Sequence, residues 1–254
     1  MPTYVTHTLM ARDVYEKLKN KDSVSLDYLL THSLGGDLCE HAKCRYDSHH
    51  KNQKEFFENM CDYLKENNLQ DDPELLGILY GHICHYALDN TAHPLVRRVS
   101  GTCVRNKKNH GIIEFYYDTY LVKKRYGKPV NKYDNKVLFK GKINKKSAKM
   151  IDYFYEKTYN TKNVSIYYKI NIWLYKKIRI EYKVVGLPLI KKVLHFNKFM
   201  KTNKKIDLLN HNHKIKFKDI NGHDCSKDFD TLYKDSIKKA LKDIDEINNY
   251  LKKN

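Results

Sequence analysis

Apolar positions recur at three- and four-residue steps along most of this chain, the spacing of helices that each bury one face. Leu9, Val14 and Leu18 predict a first helix over residues 6–20, capped by Thr6 or Thr8, with His7 at its start. Leu26 to Leu30 form a short apolar segment leading into SLGGDLCEH, where Gly35 and Gly36 predict a tight turn that presents Asp37. By local chemistry alone Asp37 is a turn or cap residue. Phe56, Phe57, Met60, Tyr63 and Leu64 mark a helix over 52–66, with His49 and His50 just before it. Asp72-Pro73 opens a helix through Leu75–Leu88, since proline suits the first helical turn. Pro94 is expected to end or bend that helix beside His93, because the residue before a proline disfavours α geometry.

The remainder continues in the same style. Residues 97–109 read as a polar connector and 110–122 as a helix. Residues 127–146 form a Lys- and Asn-rich loop with weak strand hints at Val137–Phe139. Helices are predicted over 147–159 and 165–184, although the second alternates enough to leave a strand reading open. Pro188 interrupts the pattern, residues 189–200 suggest a short helix, and LLNHNHKIKFKDINGHDCSKDF is irregular and turn-rich. Leu232, Ile237, Leu241, Ile244 and Ile247 mark a final amphipathic helix over 229–251. There is no internal repeat and no convincing linker. The expectation is one all-α, multi-helix domain spanning residues 1–254.

Charge changes that picture by dividing the chain. Through Asp118, 14 Lys and Arg stand against 17 Asp and Glu, a net of −3; from Thr119 onward 34 stand against 13, a net of +21. Nine of the 13 histidines lie in the near-neutral part, so the chemistry is expected in 1–118 and a positive field in the basic helical remainder, 119–254. Such a field favours phosphate esters, nucleic acid or peripheral contact with an anionic membrane. A Lys-rich solvated surface would produce the same count without any partner. No run of about 18 apolar residues occurs, so no transmembrane segment is expected. The start, MPTYVTHTLM, has no basic leader, and the six cysteines show no CxxC pair. A cytoplasmic location with reduced thiols is the expectation.

The candidate chemistry lies in YGHICHYALDNTAHPLV and NHGIIEFYYDTY. His85, Asp89 and His93 are spaced by four, and His110 and Glu114 repeat that step, which keeps each set on one helix face. A single buried histidine is more often a packed core residue than a ligand. Two successive imidazole and carboxylate sets in apolar surroundings call for a shared partner, because unpaired buried charge is costly. The mixture of neutral nitrogen and carboxylate ligands suits zinc better than magnesium or calcium.

Five stretches in order (MPTYVTH, GGDL, HHKNQKEFF, GHICHYALDNTAHP and HGIIEFYYDTYLV) resemble the zinc-dependent phospholipase C family, particularly its short cytoplasmic clostridial-type members. The superfamily also includes zinc-dependent single-strand nucleases. The resemblance implies an all-α fold around as many as three zinc ions. Carried over by position, His49, His85 and Asp89 correspond to one metal site, and His93, His110 and Glu114 to a second. His7 corresponds to the side-chain ligand of a third, with Asp89 bridging. Asp37 matches a carboxylate that acts as general base or as an outer hydrogen-bond partner. Two departures count against the third ion. The ligand after Asp89 follows by four residues where the secreted enzymes have six, and those enzymes complete the third site with a processed amino terminus. Two zinc ions are therefore expected, a third being allowed.

The function so implied is phospholipase C-like hydrolysis of a phosphodiester by a metal-activated water. One alternative keeps the chemistry on single-stranded nucleic acid, with tyrosines to stack on bases. Another is a non-enzymatic basic module, with zinc purely structural, that binds anionic lipid or nucleic acid.

Overall fold

The computed structural model describes residues 4–40, 42–44, 46–102, 109–133, 139–184, 201 and 206–252. The described residues are mostly helical: α1 Tyr4–Tyr15, α2 Leu26–His32, α3 Asp47–His50, α4 Gln53–Glu66, α5 Pro73–Thr102, α6 Asn109–Tyr126, α7 Lys145–Tyr159, α8 Val164–Val184 and α9 Phe229–Lys252. A short 3-10 turn, Gly35–Cys39, follows α2. The only sheet among the described residues is a two-residue antiparallel hairpin, with Phe217 opposite Cys225 and Lys218 opposite Asp224. The all-α expectation holds. Cys103, Val137, Pro188 and the helix predicted over 189–200 lie outside the described residues.

Helix α5 is the central element, and its composition explains why. Leu75, Ile78, Leu79, Ile83, Ala87 and Leu95 are buried, and these positions encircle the helix rather than marking one stripe. Around it pack α2, α9, α1 and α6. Two glycines one turn apart permit the closest of these contacts. A methyl on Gly77 would come within 2.8 Å of the Ser25 carbonyl oxygen, and one on Gly81 within 2.8 Å of the Leu29 carbonyl oxygen, so α2 lies directly on the α5 backbone. At the start of α5, Asp72 Oδ1 accepts the Glu74 and Leu75 amides at 3.1 Å, and Pro73 occupies the first helical position as expected. On the far side α4 packs on α7, with Phe56 set edge-on against Phe154 and Tyr155.

Three local expectations need correction. Pro94 does not end α5, which runs on to Thr102. Leu95, Val96 and Val99 remain buried beyond it, and this apolar packing outweighs the single backbone bond that proline removes. Residues 97–102 are therefore helix rather than connector. Neither Thr6 nor Thr8 caps α1: both lie inside it, Thr8 Oγ1 donating to the Tyr4 carbonyl and Thr6 Oγ1 to Asp118. The helix predicted over 165–184 is present, as Val164–Val184, and the strand reading falls away. Tyr168 and Asn171 turn inward along that helix, where Asn171 Nδ2 donates to the Leu38 carbonyl at 2.8 Å. Among the described residues no helix is long and apolar enough to cross a membrane.

Candidate metal centre

The four-residue steps read from the sequence become one wall of a polar cluster. Helix α5 carries His85, Asp89 and His93 along a single face; α6 brings His110 and Glu114, α1 brings His7, the Gly35–Cys39 turn brings Asp37, and α3 brings His49. The structure gathers all eight residues. They form three overlapping donor groups: His7 with His85 and Asp89; Asp37 with His49 and His85; and His93 with His110 and Glu114. In each group the potential ligand atoms lie within 4.8 Å of one another. The His93–His110–Glu114 grouping is the one expected. His49 sits with Asp37 and His85, whereas Asp89 reaches His7. Asp37 is thus itself within ligand reach.

The glycine turn explains how Asp37 and His49 come so close. Gly35 has φ +45°, a backbone conformation that L side chains rarely adopt, and any Cβ there would overlap the His85 ring. A Cβ on Gly36 would stand 2.7 Å from Cε1 of His49. Both imidazoles therefore lie flat against bare backbone.

The separations between the donor atoms suit direct hydrogen bonds and a shared tetrahedral ion alike. Glu114 Oε1 lies 3.0 Å from His110 Nε2 and 3.1 Å from His93 Nε2. Asp89 Oδ1 lies 3.2 Å from His93 Nδ1 and 3.3 Å from His7 Nε2, its Oδ2 lies 3.4 Å from His85 Nε2, and Asp37 Oδ1 lies 3.1 Å from His49 Nε2. Tetrahedral zinc with bonds of about 2.0–2.1 Å separates its ligands by about 3.3 Å.

His85 provides the sharpest test of fit. Its Nδ1 is 3.3 Å from the Ser33 carbonyl oxygen, which can only accept, so Nδ1 carries the proton. Burial holds the imidazole well below its ordinary pKa, so the ring is neutral. The Nε2 lone pair then points toward the lone pairs of Asp89 Oδ2, and this fully buried nitrogen has no hydrogen-bond partner. Two acceptors face each other with no proton between them. A cation is what this arrangement lacks, and the backbone bond on the opposite ring nitrogen is the usual orienting contact of a ligating histidine.

The remaining electrostatics agree. Burial opposes the charge on Asp89, yet His93 and the bond from His7 reverse this and hold it well below the usual carboxylate range. Glu114, also buried, is brought down to about 2 by its bonds from His110 and His93. Asp37 goes the other way: burial raises it, with His49 offsetting only part of the rise. Burial lowers His93, but Asp89 and Glu114 drive it well above its ordinary value, so without metal it is an imidazolium between two carboxylates.

The cluster opens on one side. Asp37, His49, Asp89 and His93 line a cleft of about 1190 Å³ whose other walls include Arg97, Arg98, Lys216 and Lys218. Several contributors escaped the sequence reading. Asp118 accepts both the Thr6 amide, at 2.7 Å, and the Thr6 hydroxyl, at 2.6 Å, and so fixes α1 beside His7. Arg97 had a signal, for it extends the 85, 89, 93 row by another four residues. Ser33 had none, since its contribution is a backbone carbonyl. His82 lies close in sequence but serves packing: its Nδ1 donates to the Ile78 carbonyl at 2.9 Å, and its Nε2 accepts from Tyr168 at 2.8 Å. The side chain of His50 lies outside the described atoms.

Fold and cluster together define an all-α protein with His, Asp and Glu groups that could hold metal. The family described as Zinc dependent phospholipase C matches residues 6–181, and this chain belongs to that family. No match was found among curated proteins, and none among solved structures.

Proposed function

We propose that this protein is a zinc-dependent phosphodiester hydrolase of the phospholipase C type, acting on a phospholipid in the cleft beside Asp89. The observation that carries the proposal is the pair of opposed lone pairs on His85 Nε2 and Asp89 Oδ2, within a donor set that opens to solvent on one side. A purely structural zinc site would be closed.

His85 and His49, with Asp89 opposite His85, would hold one ion, and His93, His110 and Glu114 a second. His7, with Asp89, completes the donor set available to a third. Bound zinc supplies Lewis acidity toward phosphoryl oxygens and a water that ionises near neutrality. The chain's own part is to keep these donors in place. Ser33 fixes the His85 tautomer, Gly35 and Gly36 give the imidazoles room, and Asp118 anchors α1 through Thr6. Asp37 is proposed as the group that orients the attacking water or accepts its proton. It is a carboxylate at the cleft wall whose burial raises its proton affinity.

Elemental analysis of protein purified without chelator should find at least two zinc ions per chain, and finding none even after reconstitution would reject the reading. Asp89→Asn should lower hydrolysis of short-chain phospholipid at least about 100-fold with far-UV circular dichroism unchanged. Wild-type turnover in that variant would exclude this site. An oligonucleotide assayed in parallel should not be cleaved.

A further inference from the structure

The cleft's outer walls are built differently from its floor. Its acidic groups are already engaged: Asp37 by His49, Asp89 by His7 and His93, Asp224 by Lys218 at 2.9 Å, and Asp219 by the Asn221 and His223 amides of its own hairpin. The cations are not matched in the same way. Among the described residues Arg97, Arg98 and Lys216 form no ion pair, and all three are exposed on the cleft wall. Arg97 reaches this position because α5 continues past Pro94: four residues beyond His93, it stands one turn further along the face that bears the ligands. Lys216 comes from the opposite side, on the hairpin whose Phe217 is buried against the core and packs toward α5. Two parts of the chain more than 110 residues apart therefore direct positive charge into one space beside the metal-type donors. A choline-type headgroup is a cation recognised by free carboxylates or aromatic faces; the carboxylates on this wall, Asp219 and Asp224, are engaged within their own hairpin, and Tyr46 stands at the rim. Guanidinium and ammonium groups repel such a headgroup and recognise carboxylate or phosphate.

We infer that the cleft selects phospholipids whose headgroup carries a negative group beyond the scissile diester, a carboxylate or a phosphomonoester, held by Arg97, Arg98 and Lys216. The inference rests on the phospholipase reading above and names its substrate class. Tyr46 and Ile220, 68% and 59% exposed, also line this cleft and give its rim two apolar contacts suited to the glycerol and acyl end of such a lipid.

The test uses zinc-loaded full-length protein and monomeric dibutanoyl lipids, so that no charged surface attracts this basic chain. Three headgroups are compared: choline, serine and inositol phosphate. Wild-type kcat/KM should be roughly tenfold or more higher for the two anionic lipids than for choline. Arg97→Gln and Lys216→Gln should each remove about tenfold of that preference, lowering the anionic rates more than the choline rate. Lys242→Gln, which removes an equal charge from an exposed position on α9, should change none of the three rates. Equal wild-type rates on choline and anionic lipids, or equal losses on all headgroups in the cleft variants, would overturn the inference while leaving the hydrolase reading intact. A second readout is independent of turnover: calorimetric binding of glycerophosphoserine against glycerophosphocholine. Selective binding that Arg97→Gln abolishes, with no lipid hydrolysed, would sustain the anion site and sink the phospholipase reading. Equal binding of the two would sink the anion site.

Discussion

At the scale of the residue, the cluster is governed by where protons can sit. His85 must be neutral with its proton on Nδ1, His93 carries an extra proton when metal is absent, and Asp89 and Glu114 remain ionised. Asp118, like Asp37, moves the other way. Burial raises its pKa to about 7, with the two bonds from Thr6 offsetting part of the cost. A carboxyl whose folded pKa lies above its unfolded one destabilises the fold increasingly as pH rises from the unfolded value toward the folded one, and by a constant amount above that. Both Thr6 bonds go to Oδ1, which an asparagine retains. Asp118→Asn in metal-free protein should therefore raise Tm more at pH 8 than at pH 4, by an amount on the order of a few kcal/mol in stability. Equal differences at the two pH values would show that Asp118 is not the group responsible. The side-chain types at this scale were legible beforehand, because His and Asp at four-residue steps have few other uses. The role of Ser33 was not, since any residue offers a carbonyl.

At the scale of the element, α5 departs most from local expectation and matters most. A proline costs a helix one backbone bond and some steric strain, which local preference treats as a boundary. Burial of Leu95, Val96 and Val99 supplies an opposing gain of about 1.5–3 kcal/mol for each such side chain. The helix continues, and Arg97 reaches the cleft wall as a result. The close seat of α2 on α5 depends on Gly81, whose added methyl would meet the Leu29 carbonyl oxygen and the His32 backbone at 2.8 Å. Gly81→Ala should therefore destabilise the protein by about 1–3 kcal/mol, read as a lowered urea midpoint at unchanged m-value. No change in midpoint would mean that the two helices are free to separate. The glycines at 77 and 81 were visible in the sequence, but nothing local distinguishes a glycine that admits a neighbour from one that merely tolerates solvent.

At the scale of the whole molecule, the donors come from α1, α3, α5, α6 and the Gly35–Cys39 turn, so the proposed ions would join five elements. Metal bound only by the folded chain adds stability in proportion to the logarithm of its concentration, about 2.7 kcal/mol at 100 times Kd. Chelation should lower Tm, zinc should restore it in a concentration-dependent way, and His85→Ala should blunt that response. A Tm insensitive to chelator in protein shown to contain zinc would argue against ions at the junction of these elements. The division of charge into a near-neutral first part and a basic second part also takes on a different form here. The cleft draws Arg97 and Arg98 from the first part and Lys216 from the second, so the positive wall is a product of folding rather than of either half.

What the sequence by itself determined was the helical class, the bounds of most helices to within a few residues and which histidines and carboxylates to look for. Hydrophobic period and ligand spacing are both local quantities, set by the geometry of a single helix. Only the tertiary structure decided that Asp37 lies against His49, that Asp89 reaches His7, that α5 outlasts its proline and that a distant hairpin faces Arg97. Each of these depends on which buried surfaces meet, a sum over residues far apart in the chain to which no short stretch has access.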